Sequence, residues 1–239
     1  MPEVATPNAP PYSAVALLRM VLSNGDAGWG TGAVIDATHV LTCAHNLISR
    51  RGQYEARAIE VFPGYSGAQA PAPGSGVAAS RGFYQRAFVY AQDRTWDIGV
   101  IELKHAVRMS VYMQPNAVTE QQDPPKELDI AGYPSSRHFR MWTDRELWSG
   151  INVQEHVFAY THDTEAGSSG SPIYSWERRA EIARLYGVHS GLAQNREDKV
   201  GVLVTRVTHA FIEEAAHAAP PPGSPFLLAL GPRAGDEAA

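Results

Sequence analysis

Three short stretches carry side chains that could share one reaction. Leu41-Thr42-Cys43-Ala44-His45-Asn46 contains a histidine, Trp96-Asp97-Ile98-Gly99-Val100-Ile101 contains a carboxylate, and Gly167-Ser168-Ser169-Gly170-Ser171-Pro172 places a serine between glycines. A serine hydroxyl is a weak nucleophile at neutral pH and needs a base within hydrogen-bond reach. Histidine supplies that base near neutrality. A buried carboxylate then fixes the imidazole tautomer and stabilises the imidazolium. The expected set is therefore His45 as base, Asp97 as its orienting partner and Ser169 as nucleophile. Taken singly, each has a plain structural reading as a strand-end histidine, a turn cap and a loop serine. Their order along the chain carries the argument. Hydrolases that run serine, acid, histidine want Gly-x-Ser-x-Gly, and the last position of that pattern is Ser171 here. The glycines have a mechanical use. An oxyanion site needs two converging backbone N–H groups, and those of Gly167 and Ser169 are the candidates.

The elements that must position these groups are mostly short strands. Strand signals fall at 13–22, 31–35, 39–42, 58–62, 98–103, 128–131, 147–153, 157–161, 172–174, 183–188 and 201–205, with turn residues such as Asn24-Gly25 and Pro63-Gly64 between them. Residues 66–76 are low-complexity and read as a mobile surface loop. The one helical run is 207–218, stopped by Pro220-Pro221-Pro222. Many short strands with one terminal helix predict an all-β pair of barrels or sandwiches.

Composition narrows the function classes. The net charge is −5, and the adjacent basic pairs are Arg50-Arg51 and Arg178-Arg179, which read as solvated loops. Nucleic-acid binding, which demands clustered cations, is not expected. The apolar run 14–18 is too short to span a membrane. Cys43 is the single cysteine, so no internal disulfide forms, and it reads as a small buried hydrophobe rather than a redox thiol. No positively charged leader precedes the first apolar run, and the chain is expected to be cytoplasmic, or secreted if a leader was removed.

The stretches LTCAH, WDIGVIEL and GSSGSP resemble the chymotrypsin-like (trypsin-like) serine peptidases. The resemblance is closest to the bacterial glutamyl endopeptidase branch, through GxSGSP, Gly132-Tyr133-Pro134 with Met141-Trp142, and Gly187-Val188-His189-Ser190-Gly191. It implies two six-stranded antiparallel β-barrels with a C-terminal helix. The expected organisation is an arm at 1–12, a first barrel at 13–115 and a linker at 116–126. A second barrel with the helix follows at 127–219, then a flexible tail at 220–239. It also implies a serine endopeptidase working through an acyl-enzyme, with no cofactor and no metal, acting as a monomer on a protein or peptide substrate. Thr164 and His189 would bind an acidic substrate side chain. The alternative is cleavage after Lys or Arg using Asp163, and a further one is a catalytically silent protein-binding module. Ser168 stands where related zymogens carry the carboxylate that receives a freed amine. Control is therefore expected from a loop, the tail or a regulatory protein partner.

Overall fold

The computed structural model describes residues 1–51, 53–161, 164–192, 199–217 and 228–230. Its strands are β1 (Val15–Leu22), β2 (Ala27–Val34), β3 (His39–Thr42), β4 (Ala56–Pro63), β5 (Val77–Tyr84) and β6 (Gly99–Leu103). There follow β7 (Met113–Pro115), β8 (Glu127–Gly132), β9 (Trp142–Asn152), β10 (Val157–Tyr160), β11 (Pro172–Glu177), β12 (Ile182–Leu192), β13 (Lys199–Leu203) and β14 (Leu228–Leu230). The helices are α1 (Arg86–Tyr90) and α2 (Arg206–His217).

Each half closes into a barrel, as the resemblance implied. In the first, the ladder runs β5-β4-β1-β2-β3-β6 and returns to β5. In the second it runs β11-β8-β9-β10-β13-β12 and returns to β11. Closure removes the free edges that an open sheet would expose. Two three-residue strands sit outside the rings: β14 pairs with β5, and β7 pairs in parallel with β12. The segment that leaves the first barrel is thus stitched to the second before that barrel's own strands begin.

Apolar positions fill both barrels. Val15, Leu17, Val40, Val61, Val100 and Ile101 belong to the larger buried cluster. Leu128, Ile130, Phe158, Tyr160, Ile173 and Leu203 form the interior of the second barrel. The helix α2 crosses back to lie against β6, and its Phe211, Ile212 and Ala215 are buried in the larger cluster. Fully burying side chains of this size contributes about 1.5–3 kcal/mol each. Among the described residues no helix is long and apolar enough to cross a membrane. Most of the segment 220–239 lies outside the described residues, with β14 as the exception.

Candidate active site

The first two candidate residues are neighbours because their strands are. β3 pairs with β6 so that Thr42 faces Gly99. His45 lies just beyond the end of β3, on the short 3-10 turn Ala44–Asn46. Asp97 lies just before β6, closing the turn Arg94–Trp96. Both therefore leave the same end of one strand pair. His45 Nδ1 sits 2.7 Å from Asp97 Oδ2, and the His45 backbone N–H donates to Asp97 Oδ1 at 2.8 Å. The Ser190 hydroxyl, from β12 of the other barrel, donates to Asp97 Oδ2 at 2.5 Å.

The charge balance follows from that geometry. Asp97 is 4% exposed. Burial alone would raise its carboxyl, but the His45 charge, the His45 hydrogen bonds and the Ser190 hydroxyl outweigh it and hold the carboxyl low. Burial would lower His45, yet Asp97 and the Cys43 contact carry it well above the ordinary histidine value. An ionised Asp97 accepts the Nδ1–H, which leaves Nε2 as the acceptor nitrogen.

Ser169 sits on the loop between β10 and β11, which the first barrel grips. The Ser169 carbonyl accepts from Thr31 N–H at 2.8 Å and from Asn46 Nδ2 at 3.0 Å. The Thr31 hydroxyl donates to the Gly167 carbonyl at 2.9 Å and accepts from Tyr133 N–H at 3.0 Å. Gly167 and Gly170 adopt left-handed φ values of 90° and 85°. A side chain at either would also collide: a Cβ on Gly167 would lie 2.6 Å from the Tyr133 carbonyl, and one on Gly170 2.1 Å from the Thr31 carbonyl. Hydrogen bonding alternates through the turn. Ser168 N–H donates to the Glu165 carbonyl and Gly170 N–H to the His189 carbonyl. Among the described residues the N–H groups of Gly167 and Ser169 donate to nothing. Two free amides on either side of a paired one are the donors an oxyanion would need.

The His45 Nε2 atom meets Cys43 Sγ at 3.5 Å in place of the Ser169 hydroxyl. Cys43 is fully buried, as a small apolar residue would be, and burial pushes its thiol up so that it stays protonated. Cys43, His45 and Asp97 also form a group whose ligand atoms lie within 4.8 Å of one another. Both ring nitrogens of His45 are already engaged there, by Asp97 and by Cys43.

His189 and Thr164 are both buried, at 3% and 7% exposure. The His189 Nδ1 atom lies 2.6 Å from the Tyr160 hydroxyl, which orients the ring. Lys199, paired across the ladder with Tyr160, donates to the Thr164 carbonyl at 3.3 Å. Asp163 lies outside the described residues. Thr31, Tyr160 and Lys199 carry no signal of such a role in the sequence, and Asn46 and Ser190 stand there only inside motifs. They are ordinary polar residues whose partners are distant along the chain.

A family model described as a trypsin-like peptidase domain matches residues 30–180. An extracellular metalloprotease of Bacillus subtilis (strain 168) is 26% identical over 204 residues, which cover 83% of this chain and 61% of that protein. The chain thus spans about three fifths of the length of that curated relative. Among solved structures, a Glu endopeptidase in complex with MPD superposes with a TM-score of 0.74 at 20% identity, covering 90% of this chain and 95% of that one. The protease Anisep from Arthrobacter nicotinovorans gives 0.67 at 17% identity, covering 86% and 96%. At these identities the structural likenesses carry the fold.

Proposed function

Since the chain belongs to the trypsin-like peptidase family, we propose that it is a serine endopeptidase that cuts after acidic residues, Glu above Asp. The carrying observation is the His45–Asp97 pair, closed by Ser190 from the second barrel and opposed to a Ser169 turn with two unpaired amides. In the reaction, His45 Nε2 takes the Ser169 proton as Oγ bonds to the scissile carbonyl carbon. The oxyanion is held by the Gly167 and Ser169 N–H groups. His45 then returns the proton to the leaving amine as the C–N bond breaks, giving an acyl-enzyme. Water repeats the sequence and releases the acid. His45 must swing from Cys43 Sγ to Ser169 Oγ for this, a tightening common when substrate binds.

The acidic preference rests on His189, oriented by Tyr160, and on the Thr164–Lys199 pair, whose Lys199 lies across the ladder from Tyr160. Imidazolium, hydroxyl and ammonium donors suit a carboxylate. The Cys43 contact favours a second reading, a catalytically silent protein-binding module, because it occupies the atom that catalysis needs. A fluorophosphonate probe separates the two. Covalent labelling mapped by mass spectrometry to Ser169, and lost in Ser169→Ala, is expected. No labelling of the folded protein would establish the silent module. A peptide library cut chiefly after Lys or Arg would replace the acidic preference with the Asp163 alternative.

A further inference from the structure

A cavity of about 570 Å³ opens beside the imidazole of His45. It runs from His45 and Asp97 to the segment after β3, to the turn before β6 and to Ser190 and Gly191 of β12. Three of its lining residues are Arg50, Arg51 and Arg94. The sequence places Arg50-Arg51 on what reads as a solvated loop, whereas the fold turns that loop toward the site.

Among the described residues none of the three arginines forms an ion pair, and Arg50 has only a long bond, 3.4 Å, to the Gln92 carbonyl. Two nearby carboxylates have other partners. Asp97 serves His45 and Ser190, and Asp93 accepts from the Thr95 N–H and hydroxyl. Three cations thus converge on one concavity of a chain whose net charge is −5. A cleft lined by one sign of charge concentrates the opposite sign, and Arg pairs with carboxylates through two parallel hydrogen bonds. Tyr54 and Phe88 add apolar wall against which the methylenes of an acidic side chain can lie.

Strand direction assigns the register. β12 outruns its pairing with β11, which ends at Pro172↔Val188, so among the described residues no strand pairs with that side of Ser190 and Gly191, and a peptide can add there antiparallel to β12. With its scissile residue near His189, moving forward to Gly191 means moving toward the peptide's N-terminus. From these observations we infer that the arginine-lined cavity is a second subsite, which takes an acidic side chain from the two residues preceding the scissile residue. The substrates so selected are peptides with clustered acidic residues. This inference rests on the reading of the chain as a serine endopeptidase.

The test uses peptides carrying Asp, Ala or Lys at each of the two preceding positions, built in parallel on Glu and on Lys as scissile residue. The expected result is a kcat/KM at least tenfold higher for Asp than for Ala, shrinking as salt is added. In Arg94→Glu and Arg51→Glu that ratio should fall to unity or below. A parent that cuts the peptides with no Asp preference overturns the subsite and leaves the peptidase reading standing. So does an Asp preference that persists in both charge reversals, which would place the acid elsewhere. A parent that cuts nothing and takes no fluorophosphonate overturns the peptidase reading, and the subsite with it.

Discussion

The amide of Asn46 donates to the carbonyl of Ser169 at 3.0 Å, joining the residue after His45 in one barrel to the serine turn of the other. The same amide donates to the Thr42 hydroxyl at 2.9 Å. In the proposed mechanism Asn46 therefore sets the distance between the base His45 and the nucleophile Ser169. It is a positioning residue. Asn46→Leu is expected to cost about 1–3 kcal/mol, because the buried Thr42 hydroxyl loses its donor and the Ser169 carbonyl keeps only the Thr31 N–H. It should also lower kcat more than it raises KM, and urea unfolding together with steady-state kinetics would check both. Unchanged kcat in a destabilised protein would leave Asn46 a purely structural tie.

Ser169→Ala is expected to abolish peptide cleavage while changing stability by no more than about 1 kcal/mol, since one hydroxyl is lost from a half-buried loop. His45→Ala should be similarly inactive, because residues that act as a unit lose their effect together. Residual cleavage near the parent rate in either variant would refute the assignment.

The acid limb of the pH–rate profile should lie above the ordinary histidine range. His45 must be neutral to accept a proton, and Asp97 holds its value well above 6.5. Activity therefore falls as pH drops through that raised value. Asp97→Asn removes the negative charge, so the midpoint should move down while kcat drops by about four orders of magnitude, as for comparable triads. A midpoint that does not move would mean that Asp97 does not set the base.

Cys43→Ala frees the Nε2 atom that the thiol now contacts at 3.5 Å. Fluorophosphonate labelling of Ser169 is expected to be at least as fast as in the parent. A tenfold slower reaction would show instead that the thiol holds the imidazole in place for catalysis.

Prolonged treatment with a chelator should leave activity unchanged. His45 is engaged at both nitrogens by side chains already present, and the proposed chemistry asks for no Lewis acid. Loss of activity on chelation, with recovery on adding a divalent cation, would replace the serine mechanism with a metal-dependent one.

Elements with a strong local pattern were legible in the sequence. The strand expected at 39–42 is His39–Thr42, and the helix expected at 207–218 is Arg206–His217 within the described residues. β5, with sequence VAASRGFY, gave no signal, because its first five residues are only partly buried and small residues blur the alternation. β7 is three residues long and is defined by a parallel partner far along the chain, which no local pattern can announce. The candidate site divides in the same way. His45, Asp97 and Ser169 stand in distinctive short motifs. Thr31, Asn46 and Ser190 acquire their roles from hydrogen bonds that cross between barrels, between residues 136, 123 and 93 positions apart.

The return of α2 to β6 has a consequence for how the molecule is made. The ribosome completes the strands of the first barrel, Asp97 included, long before it reaches the helix. Yet Phe211, Ile212 and Ala215 bury themselves in the same cluster as Val100, Ile101 and Leu103. The support behind β6, the strand that follows Asp97, therefore emerges after both barrels' rings are made. A nascent or truncated chain ending before residue 206 carries all three motif residues but lacks that support. In the proposed enzyme, catalytic competence would therefore arrive late in synthesis.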